Sequence, residues 1–175
     1  MISESIWIGR VSYDGEAKKW LQSTDHYLGN APPGCLFAVG VHALRPVLFD
    51  DIPVADGPLL GLCLVSRPVA RMLAQDGSVG EVTRLWLAPG LPHGTASAVL
   101  REAAKIATGR GMASLISYHD RARHSGCIYR KAGFRKDGIT TPSGAGWASR
   151  SRSDSAVAAG KTSKRRWLLT LVVKP

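Results

Sequence analysis

The sequence predicts a single α/β domain, a central twisted mixed sheet flanked by helices, and three observations carry that expectation. Apolar runs of strand length recur: CLFAVGVH at 35–42, LLGLCLVS at 59–66 and WLLTLVV at 167–173. One clearly amphipathic helical stretch, beginning near Thr95, stands between two of the strand-like segments, as a crossover requires. The chain has 175 residues, 45% of them hydrophobic, which is the size and apolar content of one ordinary domain.

Taken in order, Ile6 to Tyr13 alternates weakly and reads as a first strand, followed by the turn Asp14-Gly15. Glu16 to Asp25 reads as a helix with Ala17, Trp20 and Leu21 on one face. The stretch LGNAPPG at 28–34 is rich in breakers, and Cys35 to His42 is a buried strand. Arg45 to Gly57 is an exposed connection, and Leu59 to Ser66 a further apolar strand. Pro68 to Leu73 reads as a short helix with proline in its first turn. Gly80 to Ala88 alternates as a strand should. In the main helix Val99, Leu100, Ala103, Ile106 and Ala107 form the apolar face; Gly109 and Gly111 end it. Ala113 to Tyr118 is a strand, Ser125 to Ala132 a short helix stopped by Gly133, and Phe134 opens the next strand. Trp167 to Val173 closes the sheet. Residues 143–166, with six Lys/Arg and one acid, read as a basic flexible loop rather than a second domain.

No run of about 18 apolar residues exists, so no transmembrane span is expected. No basic segment followed by an apolar stretch marks a signal peptide. Cys35, Cys63 and Cys127 are far apart, which argues for a reducing compartment. The expected location is the cytoplasm of a bacterial host cell. The net charge is +10, and it is unevenly distributed. Residues 1–94 hold 7 Lys/Arg against 9 Asp/Glu, a net of −2; residues 95–175 hold 16 against 4, a net of +12. A basic surface built by the C-terminal half suits a phosphate backbone.

The turn PGLPHGTAS at 89–97 precedes the main helix. A helix N-terminus offers unpaired N–H groups and a positive dipole, and Gly94 allows close approach of a phosphate. This turn resembles the acyl-CoA pyrophosphate loop of the GNAT superfamily, Q/R-x-x-G-x-G/A, with Gly94 and Ala96 in register and Leu91 where Gln or Arg is usual. The resemblance implies a GNAT-like acyltransferase fold. Its implied cofactor is acetyl-CoA or a related acyl-CoA, held by Leu87, Pro92, His93, Gly94, Thr95, Ala96 and Ser97. Ile128 to Gly138, IYRKAGFRKDG, resembles the GNAT segment whose tyrosine, here Tyr129, lies near the thioester and can protonate the departing thiolate.

Residues 117–134 read SYHDRARHSGCIYRKAGF. This resembles the phage Mom family segment Y-x-D…GH-x-G-T-I-Y-R-A-x-x-F, with Tyr118, Asp120, His124, Gly126, Ile128, Tyr129, Arg130 and Phe134 in step. Arg123 replaces its glycine and Cys127 its threonine. Thr83-Arg84-Leu85-Trp86 resembles the family's Ser/Thr-Arg-x-Trp strand, and His26-Tyr27 its His-Tyr pair. The resemblance implies modification of adenine N6 in phage DNA to a carbamoylmethyl (acetamido) derivative, which protects the DNA from restriction. It implies His26, Tyr27, Arg84, Asp120 and Tyr129 as the catalytic positions.

Adenine N6 is a poor nucleophile, so a base must take its proton while an electrophile is held close. Asp120, at a strand end, can act as base or orienter, and His26 can do the same. His26, Tyr27 and Asp120 could instead complete a metal site, and that donor set suits iron. Arg84 could polarise a carbonyl or bind a phosphate, or simply form a buried ion pair with Glu81 or an aspartate. A base in double-stranded DNA must first be flipped out of the stack. Arg150, Arg152, Lys164, Arg165 and Arg166 are the candidate DNA contacts, with Trp147 and Trp167 as stacking candidates. A homodimer is left open. Two other readings stand beside this one: an N-acetyltransferase for a small amine or protein, and a non-catalytic DNA-binding module.

Overall fold

A computed structural model of the chain describes residues 6–23, 34–44, 57–140 and 163–172. Seven strands form one sheet: β1 (Ile6–Val11), β2 (Cys35–Ala43), β3 (Leu59–Ser66), β4 (Val79–Leu87), β5 (Ser114–Asp120), β6 (Arg135–Thr140) and β7 (Lys164–Thr170), in the order β1-β2-β3-β4-β5-β7-β6. All pairs are antiparallel except β4–β5, which is parallel. Among the described residues the α-helices are α1 (Lys18–Ser23), α2 (Thr95–Gly109) and α3 (Cys127–Lys131). The parallel pair needs a crossover, and α2 provides it. No helix of the described residues is long and apolar enough to cross a membrane.

The sheet has a helix layer on each face. Val99, Leu100, Ala103 and Ala107 of α2 pack with Val39, Val65, Val82, Leu115, Tyr129 and Trp167 in the main core. On the other face Ala17 and Leu21 pack with Ala38, Leu62 and Leu64. Trp20 holds α1 in place: its indole donates to the Leu59 carbonyl at 2.7 Å and its ring meets Trp86 edge-on. Gly111, at φ 74°, ends α2 in the left-handed region that glycine adopts without cost. The Gly111 and Met112 N–H groups then reach back to the Thr108 and Ala107 carbonyls at 2.9 and 3.0 Å, satisfying the last turn.

Three expectations are corrected. The first helix starts differently, as a π-helical turn, Tyr13–Ala17, leading into the α-helix. Residues 68–73 form turns, not a helix. The Gln75 side-chain amide takes the carbonyls of Pro68, Ala70 and Leu73 at 3.1–3.3 Å, and Glu81 accepts the Val69 N–H at 2.8 Å, so local side-chain bonds replace the helical ladder. The closing strand begins at Lys164, three residues before Trp167, so the Lys164-Arg165-Arg166 run is sheet and not loop.

The feature that positions the site is a divergence of two strands. Pairing of β4 with β5 runs from Val79–Ser114 to Val82–Ser117 and stops, although both strands continue. A bulge on the other side of β4 accompanies it. Leu64 pairs with Arg84 and Val65 with Val82, leaving Thr83 as the extra residue. A bulged strand bends and twists more strongly, and here β4 parts from β5. The Thr83 hydroxyl stabilises the bend, donating to the Leu64 carbonyl at 3.3 Å and lying 3.1 Å from Ser66 Oγ.

Candidate active site

A cavity of about 370 Å³ opens where β4 and β5 part. Val82 to Leu85 form one wall; Tyr118, His119 and residues 123–129 form the rest. Its volume is that of a small-molecule site. Because Arg84 pairs with Leu64, it stands on the α1 face of the sheet; Tyr129 is buried in the α2-side core. Both reach the same cavity, so the gap between the strands is accessible from both faces.

Tyr129 is 7% exposed and fixed on all sides. Its ring stacks on Trp167 (5.5 Å) and His119 (5.9 Å) and meets Phe134 edge-on. Its hydroxyl lies 3.0 Å from Ser117 Oγ, which also lies 3.3 Å from the Val82 carbonyl. Ser117 has one proton and two acceptors for it. When that proton goes to Val82, Tyr129 can donate to Ser117; when it turns to Tyr129, the phenol proton is released for other use. His119 is fixed by a Trp167 indole that donates to its Nδ1 at 2.6 Å. Indole N–H only donates, so Nδ1 is unprotonated and neutral His119 carries its proton on Nε2. Burial, together with the charges of His124 and Arg165, pushes the His119 pKa below its ordinary 6.5.

The turn before α2 leaves its backbone open. Gly94 caps α2 at φ 97°, and a Cβ built on it meets nothing within 4 Å. The space beside the backbone is open, and the first-turn N–H groups of Ala96 and Ser97 lie at the positive end of the dipole. Thr95 is drawn back instead, its N–H and hydroxyl both donating to the Pro92 carbonyl at 3.2 and 2.7 Å. Leu87 is the last residue of β4; Pro92 and His93 are exposed in the turn. Ser97 Oγ donates to the Ile128 carbonyl at 3.2 Å, tying the turn to the helix that carries Tyr129.

Of the five catalytic candidates, Arg84 and Tyr129 meet in the cavity, whereas Asp120 is absent from its lining. Asp120 is buried on the opposite face of β5 from Ser117 and His119; its Oδ1 accepts the Ala122 N–H at 2.9 Å and its Oδ2 pairs with Arg123 at 3.5 Å. Arg84 donates to its neighbour's carbonyl, Thr83, at 2.8 Å, while Glu81 is engaged by Val69. His26 and Tyr27 lie outside the described residues, as do Arg150, Arg152 and Trp147. Among the described residues no group of three His, Cys, Asp or Glu could hold a metal ion. Asp120 is the one described member of the suggested iron set, and its carboxylate is engaged by the Ala122 N–H and Arg123.

Strand alternation divides the basic run. Lys164 and Arg166 oppose Asp120 and Tyr118 on one face, and Arg165 opposes His119 on the other. Arg166 is in an ion pair with Asp137 at 2.7 Å. Its pKa is raised by a hydrogen bond with Tyr118 and by Asp137. Trp167, a stacking candidate from sequence, is 3% exposed and belongs to the core. Sequence reasoning missed Ser117 and His119. The available signal was their period of two in β5, which sets them on the Tyr129 face while Tyr118 and Asp120 take the other.

The parted parallel strands, the glycine-capped crossover helix and the tyrosine helix define a GNAT-type fold, and solved structures agree. A putative acetyltransferase from Acinetobacter baylyi ADP1 is similar at TM-score 0.65 and 13% identity, covering 100% of this chain and 98% of that one. An IAA acetyltransferase from Bacillus cereus ATCC 14579 is similar at TM-score 0.61 and 16% identity, covering 95% and 100%. A Bacillus subtilis acetyltransferase in complex with CoA is similar at TM-score 0.59 and 14% identity, covering 96% and 100%. The sequence itself is more specific. The Mom protein family model matches residues 8–167, and the chain belongs to that family. Among curated proteins no sequence matches.

Proposed function

We propose that the chain transfers an acyl group from an acyl-CoA to adenine N6 in double-stranded DNA, the N6–acyl bond forming as the thioester C–S bond breaks, and that the modified base resists restriction. The observation that carries this reading is the cavity between β4 and β5, walled by Arg84 and Tyr129 in a member of the Mom family. The open Gly94 turn fits the cofactor's pyrophosphate through the N–H groups of Ala96 and Ser97. When bound, an acyl-CoA supplies the electrophilic carbon and a thiol leaving group.

The protein's own part is positional and acid–base. Tyr129 presents its phenol at a fixed position and can give its proton to the departing sulfur. Ser117 can then turn its proton from the Val82 carbonyl to the phenolate. Arg84 supplies positive charge at the opposite wall for a carbonyl oxygen or a phosphate. Asp120 or His26 takes the N6 proton under this reading. A base in a duplex reaches such a cavity only after it leaves the stack.

Mass spectrometry of nucleosides from plasmid DNA, after expression of the chain, tests the reading. A modified deoxyadenosine that disappears in Tyr129→Phe with Arg84→Ala supports it. Unmodified DNA together with acetylation of a free amine or peptide overturns it in favour of an ordinary N-acetyltransferase.

A further inference from the structure

A second cavity, of about 210 Å³, lies on the far side of His119. Strand register explains its composition. His119 pairs with Arg165, and Trp167 pairs with both Ser117 and Lys136. Directly opposed residues share a face, so His119, Arg165, Trp167 and Lys136 stand together on one side of the sheet. Arg121 joins them from the turn after β5. Three cations from three elements thus converge on one concavity, and among the described residues no carboxylate lines it. The adjacent acids are on the other face and engaged there, Asp120 with Arg123 and Asp137 with Arg166. At the floor, Trp167 occupies His119 Nδ1, so the imidazole has only its Nε2–H to offer.

A cavity whose charged and imidazole groups are donors selects an anion. Guanidinium forks match phosphate oxygens, and the bonds are charge-assisted. The second cavity shares His119, His124 and Ser125 with the main one. An anion seated in it is therefore next to whatever enters the gap between β4 and β5.

We propose that this cavity is a phosphodiester subsite: Arg121, Lys136 and Arg165 hold a DNA backbone phosphate flanking the base presented to the main cavity. This rests on the DNA reading above and assigns a place to it. The subsite carries no sequence information and sets position only.

The test compares the full chain with the Arg121→Ala, Lys136→Ala, Arg165→Ala triple variant, checked for native circular dichroism. Affinity for a short duplex is measured across salt concentrations, alongside acetyl-CoA and inorganic phosphate binding by calorimetry. The triple variant should lose about 10-fold or more in duplex affinity, and its slope of log K against log salt should shrink by about one. Its acetyl-CoA affinity should not change. A control variant, Arg67→Ala with Arg71→Ala, should leave the slope nearly intact. If the unaltered chain binds DNA and the triple variant keeps both affinity and slope, the subsite is wrong and the DNA reading stands. If the unaltered chain binds no DNA, the DNA reading itself fails and the subsite with it. Loss of acetyl-CoA binding in the triple variant would assign the cavity to the cofactor's phosphates and overturn the proposal. Binding of inorganic phosphate that the variant loses, with duplex affinity unchanged, would make it a free-phosphate site and overturn it equally.

Discussion

Trp167 Nε1 donates to His119 Nδ1 at 2.6 Å, across the β5–β7 ladder and between the two cavities. The bond needs an unprotonated Nδ1, and burial already depresses the His119 pKa below 6.5. A histidine with a lowered folded pKa binds fewer protons folded than unfolded. Its contribution to stability is then complete above its unfolded value and is lost as pH falls through 6.5 towards the depressed one. Urea midpoints measured between pH 7.5 and 5 should fall, and His119→Asn should have a flatter profile. Parallel profiles for the two proteins would show that His119 is not the titrating group.

Ser117 and Tyr129 act as a pair in the proposed reaction. Tyr129→Phe removes the acid and should lower modification by about 10²-fold or less, water being a partial substitute. Ser117→Ala leaves the phenol but deletes its proton partner, so it should have a smaller effect in the same direction. The double variant should be no worse than Tyr129→Phe alone, because the two residues share one function. Additive losses, read by nucleoside mass spectrometry, would mean that Ser117 does not act through Tyr129.

Asp120 has two candidate roles that one substitution separates. In Asp120→Asn the amide oxygen can still accept the Ala122 N–H, and the lost partner, Arg123, is mostly exposed. Stability should fall by less than about 1 kcal/mol. If Asp120 is the base, modified adenine should drop at least ~10²-fold while acetyl-CoA and DNA binding persist. A change of only a few-fold would leave Asp120 as the residue that shapes the turn after β5.

The elements legible in the sequence were those with a strong local signal. Leu59–Ser66 is a near-continuous apolar run, and α2 has both an apolar face and a glycine stop. Residues 68–73 misled because the competition came from Gln75 and Glu81, whose side chains take the backbone groups a helix would use. Tyr129 and Arg84 were found through motif resemblance, and their meeting in one cavity depends on the Thr83 bulge. That bulge is a property of the β3–β4 ladder, and no local pattern announces it. His119 and the division of the basic run were hidden for a related reason. Both follow from β7 pairing with β5 across 44 or more residues of sequence, at Asp120–Lys164 and onward.

Two substitutions at Gly94 distinguish backbone freedom from ligand approach. The residue sits at φ 97° with open space around it. Gly94→Ala should cost about 1–2 kcal/mol for a left-handed backbone, with no steric clash to add. Gly94→Asp adds a negative charge where the pyrophosphate is proposed to lie, and should abolish acetyl-CoA binding in calorimetry. Unchanged acetyl-CoA affinity in Gly94→Asp would move the cofactor away from this turn.

Gly126 has the opposite surroundings. It caps α3 at φ 73°, and a Cβ there would lie 2.6 Å from a Trp167 ring carbon and 2.7 Å from His119 Cε1. Neither ring can swing aside freely, because each is bonded to the other and stacked against Tyr129. Gly126→Ala therefore combines backbone strain of about 1–2 kcal/mol with overpacking of about 1–3 kcal/mol. The denaturation midpoint should fall further than in Gly94→Ala, although both add one methyl group at a left-handed helix cap. Modification should fall as well, since displacing His119 and Trp167 shifts the surface on which Tyr129 is stacked. A Gly126→Ala protein as stable as Gly94→Ala would show that the aromatic cluster yields easily, and the case for a rigidly held Tyr129 would fall with it.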